Sequence, residues 1–206
     1  MIKQEIVKKF YKNFGGHGFD HVERVHRAAL MLAKKEKADL QIVDAAAWLH
    51  DIARAGEDSG KYICHAEEGA KISKKILERI NFPKEKISAV QHAIAAHRFS
   101  KQKKAETKEA QIIQDADRLD SLGAICIARV FMHNGLRKMP MYQPERKPEK
   151  HYHGQETTAI NHFYEKVLKI KPEKFHTLTA RKIAKERYLF IEYFLKKFKS
   201  EWNGLS

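Results

Sequence analysis

The sequence predicts an all-α bundle, and three observations carry that prediction. Apolar residues recur at helical spacing almost throughout, no alternating run is long enough to argue for a sheet, and ten glycines and five prolines are too few for a linker-dominated chain. With 43% hydrophobic and 32% charged residues, there is enough apolar material for a substantial core beneath a highly charged surface. The 206 residues suit one domain. Its core is expected at about residues 17–135, with the last helices, at about 155–203, packing on it.

Each element has its own justification. Ile2 to Phe14 reads as a first helix, stopped by Gly15 and Gly16. A second opens at Asp20, with Glu23 completing a capping box, and its stripe of His21, Val25, Ala28 and Leu32 sets a histidine on the apolar face. A third, from about Leu40 to Ala53, is apolar on several sides, which places it at the centre of the bundle. It carries His50 and Asp51 near its end, and Gly56 marks the exit.

His65 opens a fourth helix to about Ile80, with Gly69, Ile72 and Ile76 on its side. Pro83 suits the first position of a fifth, whose line of Val90 and Ile94 ends in His97, with His92 about 140° away. A sixth, from about Thr107 to His133, has the stripe Ile113, Asp117, Asp120, Ala124 and Ile127, while Asp115 projects from roughly the opposite side. Pro140 to Glu156 reads as a loop, a lid or a subunit contact, with a homodimer in view. Helices from about Gln155 to Ile170 and Thr179 to Trp202 close the chain.

Composition narrows the function classes. The opening MIKQEIVKKF is too charged for a secretory segment and no apolar run approaches a membrane span, so a cytoplasmic protein without a membrane partner is expected. Cys64 and Cys126 alone support neither a disulfide framework nor a thiolate zinc site, which leaves histidine and carboxylate as metal donors. A net charge of +14 favours polyanionic partners, but the basic residues are interspersed with acidic ones rather than gathered in a tail.

Charged or imidazole side chains on core-facing stripes are costly unless paired or bound. Four such residues fall on three helices: His21, the adjacent His50 and Asp51, and Asp117. Two imidazoles and two carboxylates suit a borderline-to-hard divalent ion (Mn²⁺, Mg²⁺, Co²⁺, Ni²⁺, Fe²⁺ or Zn²⁺) and leave coordination positions open. Spacing does not establish that the three helices converge, and a histidine on an apolar stripe is most often a satisfied core residue.

The ordered set DHVERVHR, AAWLHDIA and QDADRLDSLGAICIAR resembles the H…HD…D signature of the HD superfamily of metal-dependent phosphohydrolases. The similarity extends through HAEEGA, AIAAHRFS, HFYEKVL and TARKIAKERYLF, over most of the chain. It implies a small HD-type helical domain in which His21, His50, Asp51 and Asp117 bind one divalent metal, Asp117 being chosen because Arg-Leu-Asp follows it. His65 and His97 resemble histidines that help hold a second ion in two-metal relatives. The glutamate of many such relatives is replaced by Ala47, and Arg98, Phe99 and Ser100 stand where a Gly-Tyr-Pro signature would follow. A single metal is therefore expected, with a second ion as the alternative, and His65 and His97 facing substrate phosphate or water.

The resemblance also implies a reaction: a metal-bound hydroxide attacks a phosphoryl group, with Asp51 orienting or deprotonating that water and His65 or His97 protonating the leaving oxygen. The substrate is expected to be a nucleotide or related phosphate ester, with Arg24, Lys61, Arg98 and Arg118 as candidate phosphate contacts. Nucleoside triphosphate pyrophosphohydrolysis leads. A 5′-nucleotidase or phosphomonoesterase follows, and a cyclic-nucleotide or oligonucleotide phosphodiesterase comes third. A different class, a nucleic-acid-binding module without turnover, is supported by Lys71, Lys74, Lys75, Lys196, Lys197 and Lys199 but lacks a stacking platform. Trp48, Phe131, Phe163, Tyr164, Phe190 and Phe194 read as core. His151 and His153 have chelating HxH spacing in a polar loop.

Overall fold

The computed structural model describes residues 2–11, 18–98, 103–150 and 157–205, all helical or irregular, with no strand among them. It divides into two compact units that meet in the sequence between Asp117 and Arg118.

The first unit contains α1 (Gln4–Lys8), α2 (Phe19–Glu36), α3 (Leu40–Leu49), α4 (Arg54–Asp58), α5 (His65–Arg79), α6 (Lys84–Ala96) and most of α7 (Lys108–Asp120). α3 is the centre of this unit, packed between α2 and α6, while α5 lies against α6. Its alanines allow that: Ala45, Ala46 and Ala47 are fully buried, so neighbouring helices approach from several sides. Asp39 caps it by accepting from the backbone N–H groups of Gln41 and Ile42, at 2.9 and 3.2 Å. Buried Asp44 joins two elements, accepting from the Ile2 backbone N–H at 2.9 Å and facing His26 Nε2 at 2.8 Å. The first part of α7 is fixed by Gln114, whose amide donates to the carbonyl of Ala96, one residue before His97.

Several boundaries differ from expectation for local reasons. α2 begins at Phe19 with Gly18 as its N-cap. Asp20 makes no capping box but pairs with Arg24 one turn on, at 2.7 Å. The third helix stops at Leu49, and Gly56 lies inside the short α4 rather than marking an exit. Pro83 is the N-cap of α6, not its first residue. Of the first expected helix, residues 12–14 and the stopping glycines lie outside the described residues, as do His151 and His153.

The second unit holds α8 (Gly123–Leu136), α9 (Ala159–Glu165), short 3₁₀ turns at Val167–Lys169 and Pro172–Lys174, and α10 (Leu178–Trp202). The expected sixth helix is therefore two helices. Leu122 is extended and Gly123 has φ +81°, a left-handed conformation that glycine adopts without a Cβ penalty. Asp120 then serves a local ion pair with Arg129 at 2.6 Å. Residues 140–150 are tied to α9 and the turn after it, with Asn161 donating to the Arg146 carbonyl and Lys169 to that of Lys150. Phe163 is fully buried, but Phe190 is 47% exposed, which corrects its assignment to the core.

Candidate metal centre

Four stretches of the first unit converge on one buried cluster. His21 comes from the first turn of α2, His50 and Asp51 from the end of α3, His65 from the first residue of α5, and His97 from the C-cap of α6. All five are at most 3% exposed. Asp117, one turn before the end of α7, reaches His21 with Oδ1 3.4 Å from Nε2 and keeps 28% of its side chain exposed. Asp117 is thus the least buried of the six. Asp115 is fully buried.

The donor atoms form two groups that share Asp51. His21, His50 and Asp51 make one, and Asp51, His65 and His97 the other. In the first, His50 Nε2 lies 3.4 Å from His21 Nε2, and Asp51 Oδ2 lies 3.8 and 3.9 Å from the two rings. In the second, Asp51 Oδ1 is 3.2 Å from His65 Nε2 and 3.5 Å from His97 Nε2, which are themselves 3.3 Å apart. Donors around one ion at roughly 2.1 Å stand roughly 3.0–3.4 Å from one another, so both sets have the chemistry and nearly the spacing that a divalent ion requires.

The rings are oriented by what lies behind them. His50 donates through Nδ1 to the Ala47 carbonyl at 2.8 Å, and His97 through Nδ1 to that of Ile94 at 2.6 Å. Each therefore presents an unprotonated Nε2 to the cluster when neutral, the arrangement that holds a metal-ligating imidazole in one tautomer. Burial pushes His50 down to about 4, keeping it neutral. Burial also works to lower His97, but the hydrogen bond and charge of Asp51 outweigh it and raise the ring above its ordinary value. Burial would raise Asp117, whereas the hydrogen bond and charge of His21 hold its carboxyl well below the usual range. Behind the HD pair, Tyr11 donates its hydroxyl to the Trp48 carbonyl at 2.8 Å and accepts from the Asp51 backbone N–H.

The four candidate phosphate contacts have different surroundings. Arg24 pairs with Asp20, Lys61 is exposed with Nζ 5.3 Å from the Tyr62 ring centre, and Arg118 donates to the Lys174 carbonyl at 3.0 Å. Arg98, beside His97, reaches Glu57 at 2.6 Å.

Glu57 is the residue that sequence reasoning missed. Its Oε2 accepts from the His65 backbone N–H at 3.1 Å and from the His65 ring Nδ1, while Oε1 takes Arg98. No periodicity marks it, because it lies on a five-residue helix ahead of an irregular turn. Partial burial would raise its carboxyl, but the His65 ring and backbone, with Arg98, bring it from 4.5 to about 2. A carboxyl held lower in the folded chain contributes stability that is complete above its ordinary value and is lost as pH falls through the folded value. Glu57→Gln is thus expected to cost on the order of 1 kcal/mol at neutral pH, since solvent screens these part-exposed partners, and the difference shrinks between pH 4.5 and about 2. Urea denaturation of both proteins across that range measures it.

An all-helical unit with a buried histidine and aspartate cluster defines a class: helical proteins built around an HD pair able to hold a metal ion. Residues 18–122 match the HD domain, and the chain belongs to the HD-domain family. It is 32% identical over 197 residues to the uncharacterized protein YpgQ of Bacillus subtilis, covering 92% of this chain and 86% of that one. Among solved structures, an HD-superfamily hydrolase from Bacillus thuringiensis is 33% identical with a TM-score of 0.77, covering 97% of this chain and 94% of that one. Bacillus subtilis YpgQ in complex with ADP is 28% identical with a TM-score of 0.73, covering 97% of each chain. The chain thus has the fold of HD-superfamily hydrolases, and its histidine and aspartate groups are able to hold metal ions. No helix among the described residues is long and apolar enough to cross a membrane.

Proposed function

We propose that this protein hydrolyses nucleoside triphosphates to monophosphate and pyrophosphate, with a divalent ion held by His21, His50, Asp51 and Asp117. The observation that supports the reading is the grouping of His21, His50 and Asp51, from α2 and the end of α3, with Asp117 of α7 placing Oδ1 3.4 Å from His21 Nε2 beside them. The ADP complex of YpgQ supports a nucleotide as substrate. When bound, the ion withdraws charge from a phosphoryl oxygen and lowers the pKa of a water it coordinates.

The protein's own groups supply the rest. Asp51 turns Oδ2 to His21 and His50 and Oδ1 to the other two rings, so it is placed to orient the attacking water and accept its proton. His65 and His97 face that carboxylate together: His97, in its protonated form, is placed to donate a proton to the leaving oxygen, and His65, bare at Nε2, to accept from a water at the site. Arg98 is the cation the geometry brings beside His65, and it meets the phosphate chain.

A second reading, in which His65 and His97 hold another ion with Asp51 as the bridge, is favoured by the second donor group. Metal analysis of protein loaded with Mn²⁺ separates the two readings, with one equivalent expected and two supporting the bridge.

Phosphorus NMR of reactions with nucleoside mono-, di- and triphosphates tests the substrate class. Pyrophosphate with monophosphate is expected. Orthophosphate with nucleoside would replace this reading by a nucleotidase.

A further inference from the structure

We propose that Glu57 is a positioning residue, whose single carboxylate fixes the His65 ring with Nδ1 protonated and Nε2 bare toward Asp51 and holds Arg98 beside the same site. The inference rests on the hydrolase reading and adds to it the group that aims two of its residues.

The need for such a group follows from where His65 lies. His50 and His97 each find a Nδ1 acceptor three residues back, at Ala47 and Ile94, because both close a helical turn. His65 is the first residue of α5, so the residue three before it, Tyr62, lies outside the helix and the same device is absent. Glu57 takes its place. Oε2 accepts from both the His65 ring Nδ1 and the His65 backbone N–H, which caps α5 at an end where the Cys64 side chain makes no cap. An anionic acceptor at Nδ1 selects the tautomer with that nitrogen protonated, leaving the lone pair on Nε2, 3.2 Å from Asp51 Oδ1.

The other oxygen, Oε1, binds Arg98 at 2.6 Å. One carboxylate therefore connects the residue that opens α5 to the residue that follows His97. The segment carrying it is held in place: the Gly56 carbonyl accepts from the backbone N–H groups of Lys61 and Tyr62 at 2.8 and 3.2 Å. A Cβ at position 56 would lie 2.2 Å from the Tyr62 ring, so a side chain there would have to displace that ring.

Histidine nitrogen-15 correlation spectra of the metal-free wild-type, Glu57→Ala and Glu57→Gln proteins at mildly alkaline pH, with steady-state kinetics on the nucleotide hydrolysed, test this. The wild-type His65 is expected to carry its proton on Nδ1. Glu57→Ala loses that preference and about 10–100-fold in kcat. Glu57→Gln keeps a carbonyl oxygen for Nδ1, restoring the tautomer and most of kcat, but offers Arg98 no anion, so KM stays raised several-fold. A bare Nδ1 in the wild type, or Glu57→Ala with tautomer and kcat unchanged, would overturn the proposal, as would Glu57→Gln behaving like Glu57→Ala. If Glu57→Ala does not fold, the wild-type and Glu57→Gln spectra decide. Absence of any phosphate hydrolysis by the wild type would remove the hydrolase reading while the spectra still decide the positioning role.

Discussion

Asp51→Ala is expected to abolish metal-dependent hydrolysis, lowering kcat on the order of a thousand-fold or more, which corresponds to about 4 kcal/mol of transition-state stabilisation. The size follows from its position. Asp51 is the one residue common to both donor groups, with Oδ2 directed at His21 and His50 and Oδ1 at His65 and His97. Its loss removes an anion from the ion's surroundings and the carboxylate that faces both remaining rings. Asp51→Asn, which keeps the shape but not the charge, is expected to fail nearly as badly, separating electrostatics from packing. Titration calorimetry with Mn²⁺ and initial rates measure the two effects. Activity retained in both variants would place the chemistry elsewhere. Salt-sensitive oligonucleotide binding that persists in Asp51→Ala, with no hydrolysis by the wild type, would instead support a nucleic-acid-binding module.

Chelation should have the second-largest effect. Removing the divalent ion is expected to abolish turnover, and adding it back to restore turnover, with Mn²⁺, Mg²⁺, Co²⁺ and Ni²⁺ compared in parallel. Stability should change too. A ligand that binds only the folded chain, supplied at a hundred times its dissociation constant, adds about 2.7 kcal/mol, or about 5–10 °C in Tm for a chain of this length. The buried cluster explains why the gain should be visible: His50 is held neutral and Asp117 ionised, the states in which each donates to a cation. Scanning calorimetry with and without chelator gives the measurement, and an unchanged Tm with saturating metal would count against a site at these residues.

The helical character of the chain was legible because it rests on spacing alone. The helices expected from His65 to about Ile80 and from Thr179 to Trp202 agree with the structure to within a residue, since both are long amphipathic runs. The break at Leu122–Gly123 was not, because the apolar stripe continues across it and only the backbone turn at Gly123 interrupts the helix. The start of α2 lies one residue before the expected Asp20 for a related reason. Asp20 has the composition of a cap, but its carboxylate goes to Arg24 instead. In the cluster, His21, His50, Asp51 and Asp117 were legible as polar residues on apolar faces, and the family resemblance added His65 and His97. Glu57 had no such signal, since its role arises from a loop that returns to the start of α5.

Two of these imidazoles are fastened to the main chain of the very helix that bears them. Their aim is inherited from secondary structure and survives exchange of the side chains around them. An engineer moving the centre to a new scaffold would carry His50 and His97 on their helix ends alone. His65 travels only with the whole stretch from Glu57 onward, which makes that stretch the least portable part of the design.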